Sequence, residues 1–417
     1  MDHRTLQNRR ILISGASVAG PALAWWLARH GFRPTVVERA PQLRGGGYAV
    51  DFRGAAHLSV LAKMGILDRI KERQTHLSAT TYVDEEGRPV ASMPAGIFAG
   101  EVEILRGDLG RILYEATRDG TEYLFGDSIT GLHQDESGVH VTFRRGAPRT
   151  FDLVIGADGL HSNVRGLAFG GHRDPVEDLG LYVSIFSVPD RYGLDHEGLL
   201  YSVPGRTAAI FSAPGTGEAV AQFFFTAPDG GPVDYDYHDT ARQQKILARA
   251  FEGVGWHVPD LLGQMPAAAD FYFDSVSQVR LDRWSSGRVA LIGDAGYAAG
   301  PGGNGTGTAV VAAYVLAGEL AAARGDHRVA FARYEDQLRR YVARGQKQAR
   351  GGRDFLAPAT ARKIRQRDRF FRMLPSLPAK GLIRYLSTRT ATAIRLPDYD
   401  GLGSDEPTKK ESRWPSS

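Results

Sequence analysis

The chain has 417 residues, of which 42% are hydrophobic and 24% are charged, a composition typical of a globular protein with one large or two intertwined domains. Its 51 basic residues nearly balance 47 acidic ones, leaving a net charge of +4, so we expect no nucleic acid partner. The absence of cysteine excludes disulfides, thiol nucleophiles and thiolate metal ligands, and we expect no metal site.

The first ten residues, MDHRTLQNRR, are polar and precede a strand without the apolar segment of a signal peptide. No later stretch reaches the roughly 18 consecutive apolar residues that a membrane span requires. We therefore expect a cytoplasmic protein for which association with a membrane is disfavoured. The sequence leaves open whether the protein is a monomer or a homodimer.

The segment ILISGASVAGPALAWWLARHGFRPTVVER, residues 11–39, predicts a strand, a helix and a second strand. Its turn has Gly15 at the tight bend and Gly20 where helix and strand pack closely, as in nucleotide-binding βαβ units. Ser17 replaces the central glycine, but serine is small enough for a pyrophosphate to approach the backbone. The turn therefore indicates dinucleotide binding, with a merely structural turn as the alternative.

An acidic residue, Glu38, ends the second strand of this segment. A carboxylate at that place accepts hydrogen bonds from ribose hydroxyls and favours FAD or NAD over NADP. The helix-terminal amides of Ala19 and Gly20 are expected to face the phosphates. The candidate nucleotide-binding residues of this region are Gly15, Ser17, Val18, Ala19, Gly20, Glu38, Arg39 and Arg44.

Two later segments each place a carboxylate after an apolar strand, at the edge where parallel sheets bind ligands. The first is DLVIGADGLHSNVR, residues 152–165, with Asp158. The second is GRVALIGDAGYAAGPGGNGTGTAVVAAYVLAGELA, residues 287–321, with Asp294. Its glycine-rich loop would let backbone lie against a flat ring, and the following helix N-terminus would direct positive potential at it. A flexible surface loop is the alternative.

With the segment EILRGDLGRIL, these motifs resemble the flavoprotein aromatic hydroxylases of the para-hydroxybenzoate hydroxylase fold, and among them the tetracycline-inactivating and polyketide-tailoring monooxygenases. The resemblance implies that FAD is the resident cofactor. Glu38 would hold the adenosine ribose, Arg106 would lie beside the flavin and pyrophosphate, and Asp294 would bind the ribityl chain. Asp158 would be partly a cofactor residue and partly scaffold. The further candidate cofactor residues are Arg106, Leu109, Asp158, Gly293, Asp294, Pro301, Gly303, Asn304 and Gly305.

Three residues depart from the family pattern. Ser17 stands in place of the middle glycine, and Tyr297 stands where many members have histidine. Pro301 precedes Gly303 by two residues instead of the commoner three, so one residue of the loop is missing. The last departure leaves the placement of this proline against the cofactor unsettled by sequence.

We therefore expect an α/β fold with a Rossmann-like FAD-binding domain on a parallel sheet, an inserted, mostly antiparallel substrate domain and a C-terminal bridging helix. The expected division is a discontinuous FAD-binding domain at 1–73, 99–177 and 278–355, a substrate domain at 74–98 and 178–277, a helical segment at 356–396 and a disordered tail at 397–417. Within 361–374, basic and aromatic residues alternate, which favours a docked helix with a solvated face over a membrane-surface helix.

Residues 178–230 contain three strand-like stretches that end at proline or glycine and predict an antiparallel sheet over the flavin. We expect this sheet to line an apolar substrate pocket. For each aromatic candidate, ordinary core packing is the alternative. The candidate pocket residues are Tyr201, Phe211, Phe223, Phe225 and Tyr272.

The resemblance implies an FAD-dependent monooxygenase that takes electrons from transiently bound NADH or NADPH. It would insert one oxygen atom of O2 into an aromatic or polyketide-type substrate, including tetracycline-like antibiotics, through a flavin C4a-hydroperoxide. We assign no catalytic residue, although His57, His238 or His257 could assist deprotonation of a phenol. The alternatives are a flavin dehydrogenase or halogenase of the same fold, or a flavin-binding protein that is not an enzyme.

Overall fold

The computed structural model describes residues 6–43, 45, 48–77, 79–94, 100–170, 175–213, 216–227, 230–300, 302, 304–374 and 394–402. The strands are β1 (Arg10–Ser14), β2 (Arg33–Glu38), β3 (Ala49–Phe52), β4 (Ala79–Val83), β5 (Pro89–Pro94), β6 (Val102–Leu105), β7 (Glu122–Phe125), β8 (Ile129–Asp135), β9 (Gly138–Phe143), β10 (Arg149–Phe151), β11 (Leu153–Gly156), β12 (Val176–Pro189), β13 (Glu197–Val203), β14 (Arg206–Ala213), β15 (Glu218–Phe225), β16 (Tyr272–Val279), β17 (Ser285–Ser286) and β18 (Val289–Leu291). The α-helices are α1 (Ala19–Arg29), α2 (Gly54–Lys63), α3 (Leu67–Lys71), α4 (Arg106–Glu115), α5 (Asn163–Ala168), α6 (Thr240–Ala250), α7 (Val258–Gln264), α8 (Asp294–Tyr297), α9 (Gly305–Ala322), α10 (His327–Ala349), α11 (Gly352–Leu356) and α12 (Ala361–Met373), and a 3-10 turn spans Met265–Ala267.

The first sheet has six strands in the order β17-β18-β11-β1-β2-β7 and is parallel except at the β17 edge. Its central strands are apolar runs because both of their faces are buried. Side chains such as Ile11 and Ile155 on one face pack with α1, α9 and α10. Leu12 and Val154 on the other face pack with α5 and with the small β10-β9-β8 sheet.

The second large sheet has seven strands in the order β16-β12-β15-β14-β13-β4-β5. All neighbouring pairs are antiparallel except β4 and β13. Because side chains alternate between the faces of a strand, one face packs on α6 and α7 and the other faces Tyr48 and the C-terminal helices. The predicted α/β architecture, with a parallel sheet and a mostly antiparallel sheet, is confirmed.

The C-terminal segment contacts both halves of the molecule. Helix α12 docks on β5 and β13 through Phe371 and Leu374, whose neighbours include Tyr82. Residues 394–402 lie against the core of the first sheet, where Tyr399 is only 5% exposed. The predicted disordered tail is therefore wrong for 397–402, because an aromatic ring buries there. The other predicted domain boundaries, the cytoplasmic location and the oligomeric state stay predictions.

Helix α9 is the one described helix that is long and apolar enough to cross a membrane, over Gly305–Ala322. Within the protein it packs against α1, α2 and α10, and 72% of the apolar window is buried. A helix that is apolar all round is expected at the centre of a large core. Its composition is therefore accounted for by its place in the core.

Candidate cofactor and active site

The turn between β1 and α1 requires both of its end glycines. A Cβ atom on Gly15 would lie 2.5 Å from the carbonyl oxygen of Ala157, and Gly15 has a positive φ of 110°. A Cβ atom on Gly20 would lie 1.9 Å from the carbonyl oxygen of Gly15. Side chains at these two positions would push the helix away from the strand, so the glycines keep the turn tight.

Among the described residues, no side chain caps the amides at the start of α1, where Val18 stands at the N-cap position. The side chains of Val18 and Ala19 are buried, so neither projects across this end of the helix. Uncapped N–H groups at a helix N-terminus form a natural anion site. The local geometry therefore suits a pyrophosphate.

Glu38, at the end of β2, is tied to the same turn. Its carboxylate accepts hydrogen bonds from the backbone N–H of Ala16 at 2.9 Å and of Ala40 at 2.8 Å. Each carboxylate oxygen still has a lone pair for a further donor. Glu38 is thus held firmly at the sheet edge, and its bond to a ribose stays a prediction.

The serine that replaces the middle glycine has a partner. The guanidinium of Arg106, at the start of α4, donates a hydrogen bond of 2.8 Å to the hydroxyl of Ser17. The same guanidinium lies 5.9 Å from the ring centre of Tyr48. The departure from the family pattern therefore holds a cation over the predicted phosphate-binding turn. Leu109 instead points into the core, where it is fully buried.

Asp294 follows β18 and begins the short helix α8, after Gly293 with a positive φ of 65°. It is exposed, but the surrounding protein displaces enough water to raise the pKa of its carboxyl, an effect that Arg106 opposes and Asp274 reinforces. A Cβ atom on Gly305 would lie 3.6 Å from its Oδ1. A cavity at this point is lined by Gly293, Asp294, Tyr297, Ala299, Gly305, Thr308 and Val342.

Helix α9 begins beside this carboxylate, and no side chain in the described part of the protein caps its first turn. Its N-cap residue, Asn304, has a left-handed backbone with φ 57° and is 8% exposed. The amide nitrogen Nδ2 of Asn304 has no hydrogen-bond partner among the described residues. A buried donor without a partner is rare in native proteins and indicates a missing acceptor.

Asp158 of the second motif is fully engaged in the scaffold. Its carboxylate accepts hydrogen bonds from the Ser162 hydroxyl and from the backbone N–H of Val164 at 3.1 Å, and also from the Ser14 hydroxyl at 3.3 Å. It thereby fixes the start of α5 against β1. These contacts support the scaffold half of the expectation for Asp158.

Arg165 is a link between motifs that sequence reasoning missed. It is 8% exposed and donates to the backbone carbonyl oxygens of Ala295, at 2.9 Å, and Leu160, at 2.7 Å. The second motif is thereby attached directly to the residue after Asp294. The helical segment HSNVR could have suggested that this arginine faces inward. It could not have suggested that the arginine binds the carbonyl oxygen of Ala295.

The pocket candidates divide between the two faces of the seven-stranded sheet. Phe211 and Tyr272 lie on the face that meets Tyr48, together with Ile185 and Val220. Tyr48 links this face to Arg106, whose guanidinium lies 5.9 Å from the centre of its ring. Tyr272 is close enough to Tyr48 and Arg106 for both to influence its ionisation.

The other three candidates, Tyr201, Phe223 and Phe225, are buried on the opposite face. They pack in the core that α6 and α7 cover, and Phe223 and Phe225 both contact the ring of Phe251. Their assignment to the pocket is therefore corrected to core packing. The physical reason is that both faces of β15 are apolar, so alternation alone did not tell which face meets the cofactor.

The three histidines considered as proton acceptors do not gather at this site. His57 is fully buried and its Nε2 lies 2.6 Å from the hydroxyl of Tyr341. Burial and Arg53 lower the pKa of His57 to about 4, so it is neutral at physiological pH. His238 and His257 are exposed next to α6 and α7.

A buried carboxylate that the sequence did not reveal, Asp274, lies near the cleft. Its neighbours His161, Tyr235 and Tyr272 all bond to it. These partners are scattered along the chain, so no local pattern marks them as one cluster.

Four predicted cofactor residues lie on the surface or outside the described part of the chain. Arg39 is exposed after β2. Arg44, Pro301 and Gly303 lie outside the described residues, so their assignments stay predictions.

The residues that are described fit FAD in chemical type. Two uncapped helix N-termini and the cationic Arg106 suit the phosphates, and the carboxylates of Glu38 and Asp294 suit sugar hydroxyls. The unpaired amide of Asn304 offers a donor for a carbonyl oxygen or ring nitrogen of the flavin.

Comparisons with known proteins agree with this site. Residues 8–349 match the FAD binding domain family. An uncharacterized protein of Mycobacterium tuberculosis is 46% identical over 345 residues, covering 81% of this chain and 92% of that protein. A flavin-dependent monooxygenase of Legionella longbeachae is 39% identical over 346 residues, covering 82% of this chain and 88% of its own length.

The fold is also that of a solved enzyme. The crystal structure of the tetracycline destructase Tet(51) superposes with a TM-score of 0.83 at 35% identity, covering 93% of this chain and 99% of that one. The predicted family, resident cofactor and monooxygenase class are thus confirmed, and the alternative of a flavin-binding protein without activity is set aside. The chain belongs to the FAD binding domain family and is an FAD-dependent monooxygenase.

Proposed function

We propose that the enzyme uses NADH or NADPH and O2 to insert one oxygen atom into a planar aromatic or polyketide-type substrate, with tetracycline-like molecules among the candidates. The observation that carries the proposal is the apolar sheet face formed by Ile185, Phe211, Val220 and Tyr272 opposite Tyr48. A flat surface of this kind favours a flat, largely apolar ligand. The likeness to a tetracycline destructase supports the same substrate class.

The protein residues have distinct tasks around this surface. Bound FAD supplies the activation of oxygen, which no side chain can provide. Ser17 orients Arg106 through their 2.8 Å hydrogen bond, which places positive charge where the pyrophosphate is expected. The start of α9, with Asn304, adds a second positive end beside Asp294.

The apolar face orients the substrate and excludes water. Phe211 contributes to this face and also to the cluster that packs under α12. The substrate surface and the docked C-terminal helix are therefore continuous, so we expect bulky substrates to approach along that side. Exclusion of water strengthens every electrostatic interaction in the site and protects a reactive oxygen donor from side reactions.

The test is a screen of the purified enzyme with phenols, polyketides and tetracyclines. We expect a substrate of this class to stimulate NADH or NADPH oxidation in air. Mass spectrometry with isotopically labelled O2 should then show one labelled oxygen atom in the product.

Two results would count against the proposal. Label that enters from water instead of O2 would indicate another reaction of the same fold. Oxidation of the substrate without incorporation of oxygen would indicate a dehydrogenase. As a control for the pocket, Phe211→Ala should raise KM for the substrate, whereas Phe223→Leu, on the opposite face, should leave KM within about twofold.

A further inference from the structure

Asp274 on β16 is a buried carboxylate with a full set of donors. It is 5% exposed. Its Oδ1 accepts hydrogen bonds from the Tyr235 hydroxyl at 2.6 Å and from the backbone N–H of Ser275 at 2.9 Å, and its Oδ2 accepts the Tyr272 hydroxyl at 3.1 Å. The Nε2 atom of His161 lies 2.9 Å from Oδ1 and 3.1 Å from Oδ2. Such a carboxylate holds its partners in fixed positions.

One end of this cluster reaches the active-site cleft. Tyr272 belongs to the apolar face that meets Tyr48, and the positive charge of Arg106 acts on it. Burial and Asp274 raise the pKa of both Tyr272 and Tyr235, so both hydroxyls keep their protons near neutral pH. Tyr272 can therefore donate a proton only if another donor replaces it at once.

The other end of the cluster reaches solvent. The His161 side chain is 31% exposed, and its Nδ1 atom has no hydrogen-bond partner in the described part of the chain. The ring stacks on Tyr237 at 4.4 Å between centres with an angle of 4° between planes, and Tyr237 is itself 44% exposed. This stack keeps the imidazole in place while its outer nitrogen remains open to water.

We propose that His161, Asp274 and Tyr272 form a path that carries protons from solvent into the active-site cleft, with Asp274 as the positioning residue. The proposal rests on the monooxygenase function. That reaction, R–H + O2 + NAD(P)H + H+ → R–OH + H2O + NAD(P)+, takes one proton from water in each turnover. A dry cleft needs a defined route for this proton.

The transfer is balanced along the path. Water protonates Nδ1 of His161, and the Nε2 proton moves to Asp274. The hydroxyl of Tyr272 first turns from Oδ2 towards the cleft; its oxygen then accepts the proton of Asp274 as the hydroxyl releases its own proton to the cleft. The carboxylate and the phenol are then restored, and a flip of the His161 ring followed by exchange with water restores its first tautomer. The titratable groups around Asp274 are His161, Tyr235, Tyr272, Tyr48 and Asp294, and the charged Arg106 acts on the adjacent Tyr272.

The first test does not depend on turnover. In cofactor-free protein with nitrogen-15 histidine, the His161 signal, assigned with His161→Gln, should show a proton fixed on Nε2. In Asp274→Asn this single tautomer should give way to a mixture. Asp260→Asn is the matched control, because Asp260 also accepts a tyrosine hydroxyl, that of Tyr192 at 2.9 Å, but lies on the surface. A tautomer mixture in the wild-type protein would overturn the proposal.

The second test uses the FAD-loaded enzyme without substrate. Its uncoupled reaction, NAD(P)H + O2 + H+ → NAD(P)+ + H2O2, also consumes one proton, so it can be measured even if the proposed substrate class is wrong. His161→Ala and Asp274→Asn should lower the maximal rate about tenfold or more with KM for NAD(P)H within about twofold, and the loss should grow as pH rises. Imidazole in the buffer should restore His161→Ala but not Asp274→Asn.

A maximal rate equal to that of the wild-type enzyme in both variants would refute the proposed proton path. The path would also be refuted if His161→Ala lost activity together with FAD and imidazole failed to restore the rate, because this pattern indicates a structural role. If no substrate is ever found but imidazole rescue occurs, the path stands and the proposed substrate class fails.

Discussion

Asp294 combines exposure with an altered charge environment. Its carboxylate faces the cavity beside the start of α9, and the surrounding protein raises the pKa of the group while Arg106 lowers it. A carboxylate in this position accepts hydrogen bonds from a ligand more strongly than a neutral side chain would. The fold itself makes little use of it, since no hydrogen bond to its side chain occurs within the described residues.

Replacing Asp294 should therefore affect the cofactor and spare the fold. We expect Asp294→Ala to weaken FAD binding about tenfold to a hundredfold, the effect of losing hydrogen bonds to a charged group worth about 1.5–3 kcal/mol. Titration of flavin fluorescence measures this change, and thermal unfolding of the cofactor-free protein checks the fold. Asp282→Ala, at an exposed position, is the control. Full FAD occupancy in Asp294→Ala would refute the assignment.

Single residues differ in how far sequence reveals them. Gly15 and Gly20 were predictable because their roles depend on neighbours within one turn. Asp274 was not, because its partner His161 lies 113 positions away and only the fold brings them together. Ser17 departs visibly from the family pattern in the sequence, but its bond to Arg106 depends on the fold.

At the scale of elements, His57 joins three helices. It lies in α2, its ring fills the space left by Gly307 of α9, where a Cβ atom would come within 2.1 Å of Cε1, and its Nε2 meets Tyr341 of α10. Its Nδ1 accepts the backbone N–H of Arg53 at 3.1 Å, so Nε2 carries the proton. The start of α9 is therefore supported by a neutral imidazole.

This support should fail in acid. The pKa of His57 is 6.5 in the unfolded chain and about 4 in the folded protein. The unfolded state therefore binds the proton at a higher pH than the folded state does. As a result, the folded protein loses stability as pH falls from about 6.5 towards 4. Between pH 7 and pH 5 we expect this group to remove about 2 kcal/mol from the free energy of unfolding. Urea unfolding at the two pH values measures the loss.

His57→Gln should shrink this difference between the two pH values by a similar amount. His238→Gln, which alters an exposed histidine, should leave it unchanged. An equal pH dependence in His57→Gln and the wild-type protein would show that other groups cause the acid sensitivity.

The sequence pattern of the strands predicts their existence but not which of their faces meets the cofactor. Their existence and pairing class follow from apolar runs ended by glycine or proline, as in β12 to β15. The face that meets the cofactor does not follow, because Phe224 and its neighbours Phe223 and Phe225 make both faces of β15 apolar. Only the packing of α6 and α7 on one face settles which aromatic rings remain for a ligand.

At the scale of the whole molecule, the end of the described chain closes the core of the first sheet. Tyr399 packs where Gly318 of α9 lacks a side chain, and its hydroxyl donates to Glu319 at 2.6 Å. Tyr314 donates to the carbonyl oxygen of Pro397 at 2.8 Å. The polar composition of the tail concealed this contact, since one aromatic residue among polar ones gives no periodic signal.

We expect Gly318→Ala to release this segment. The new Cβ atom would lie 2.1 Å from the Tyr399 ring, which cannot shift without leaving its site. Overpacking costs about 1–3 kcal/mol, whereas the higher helix propensity of alanine contributes at most about 1 kcal/mol. We therefore expect a net loss of stability. It should be measured as a lower unfolding temperature and as faster proteolysis near residue 399. Gly166→Ala in α5, where a Cβ atom meets nothing within 4 Å, should not destabilise the protein. Equal proteolysis in both variants would mean that the segment does not depend on the Gly318 contact.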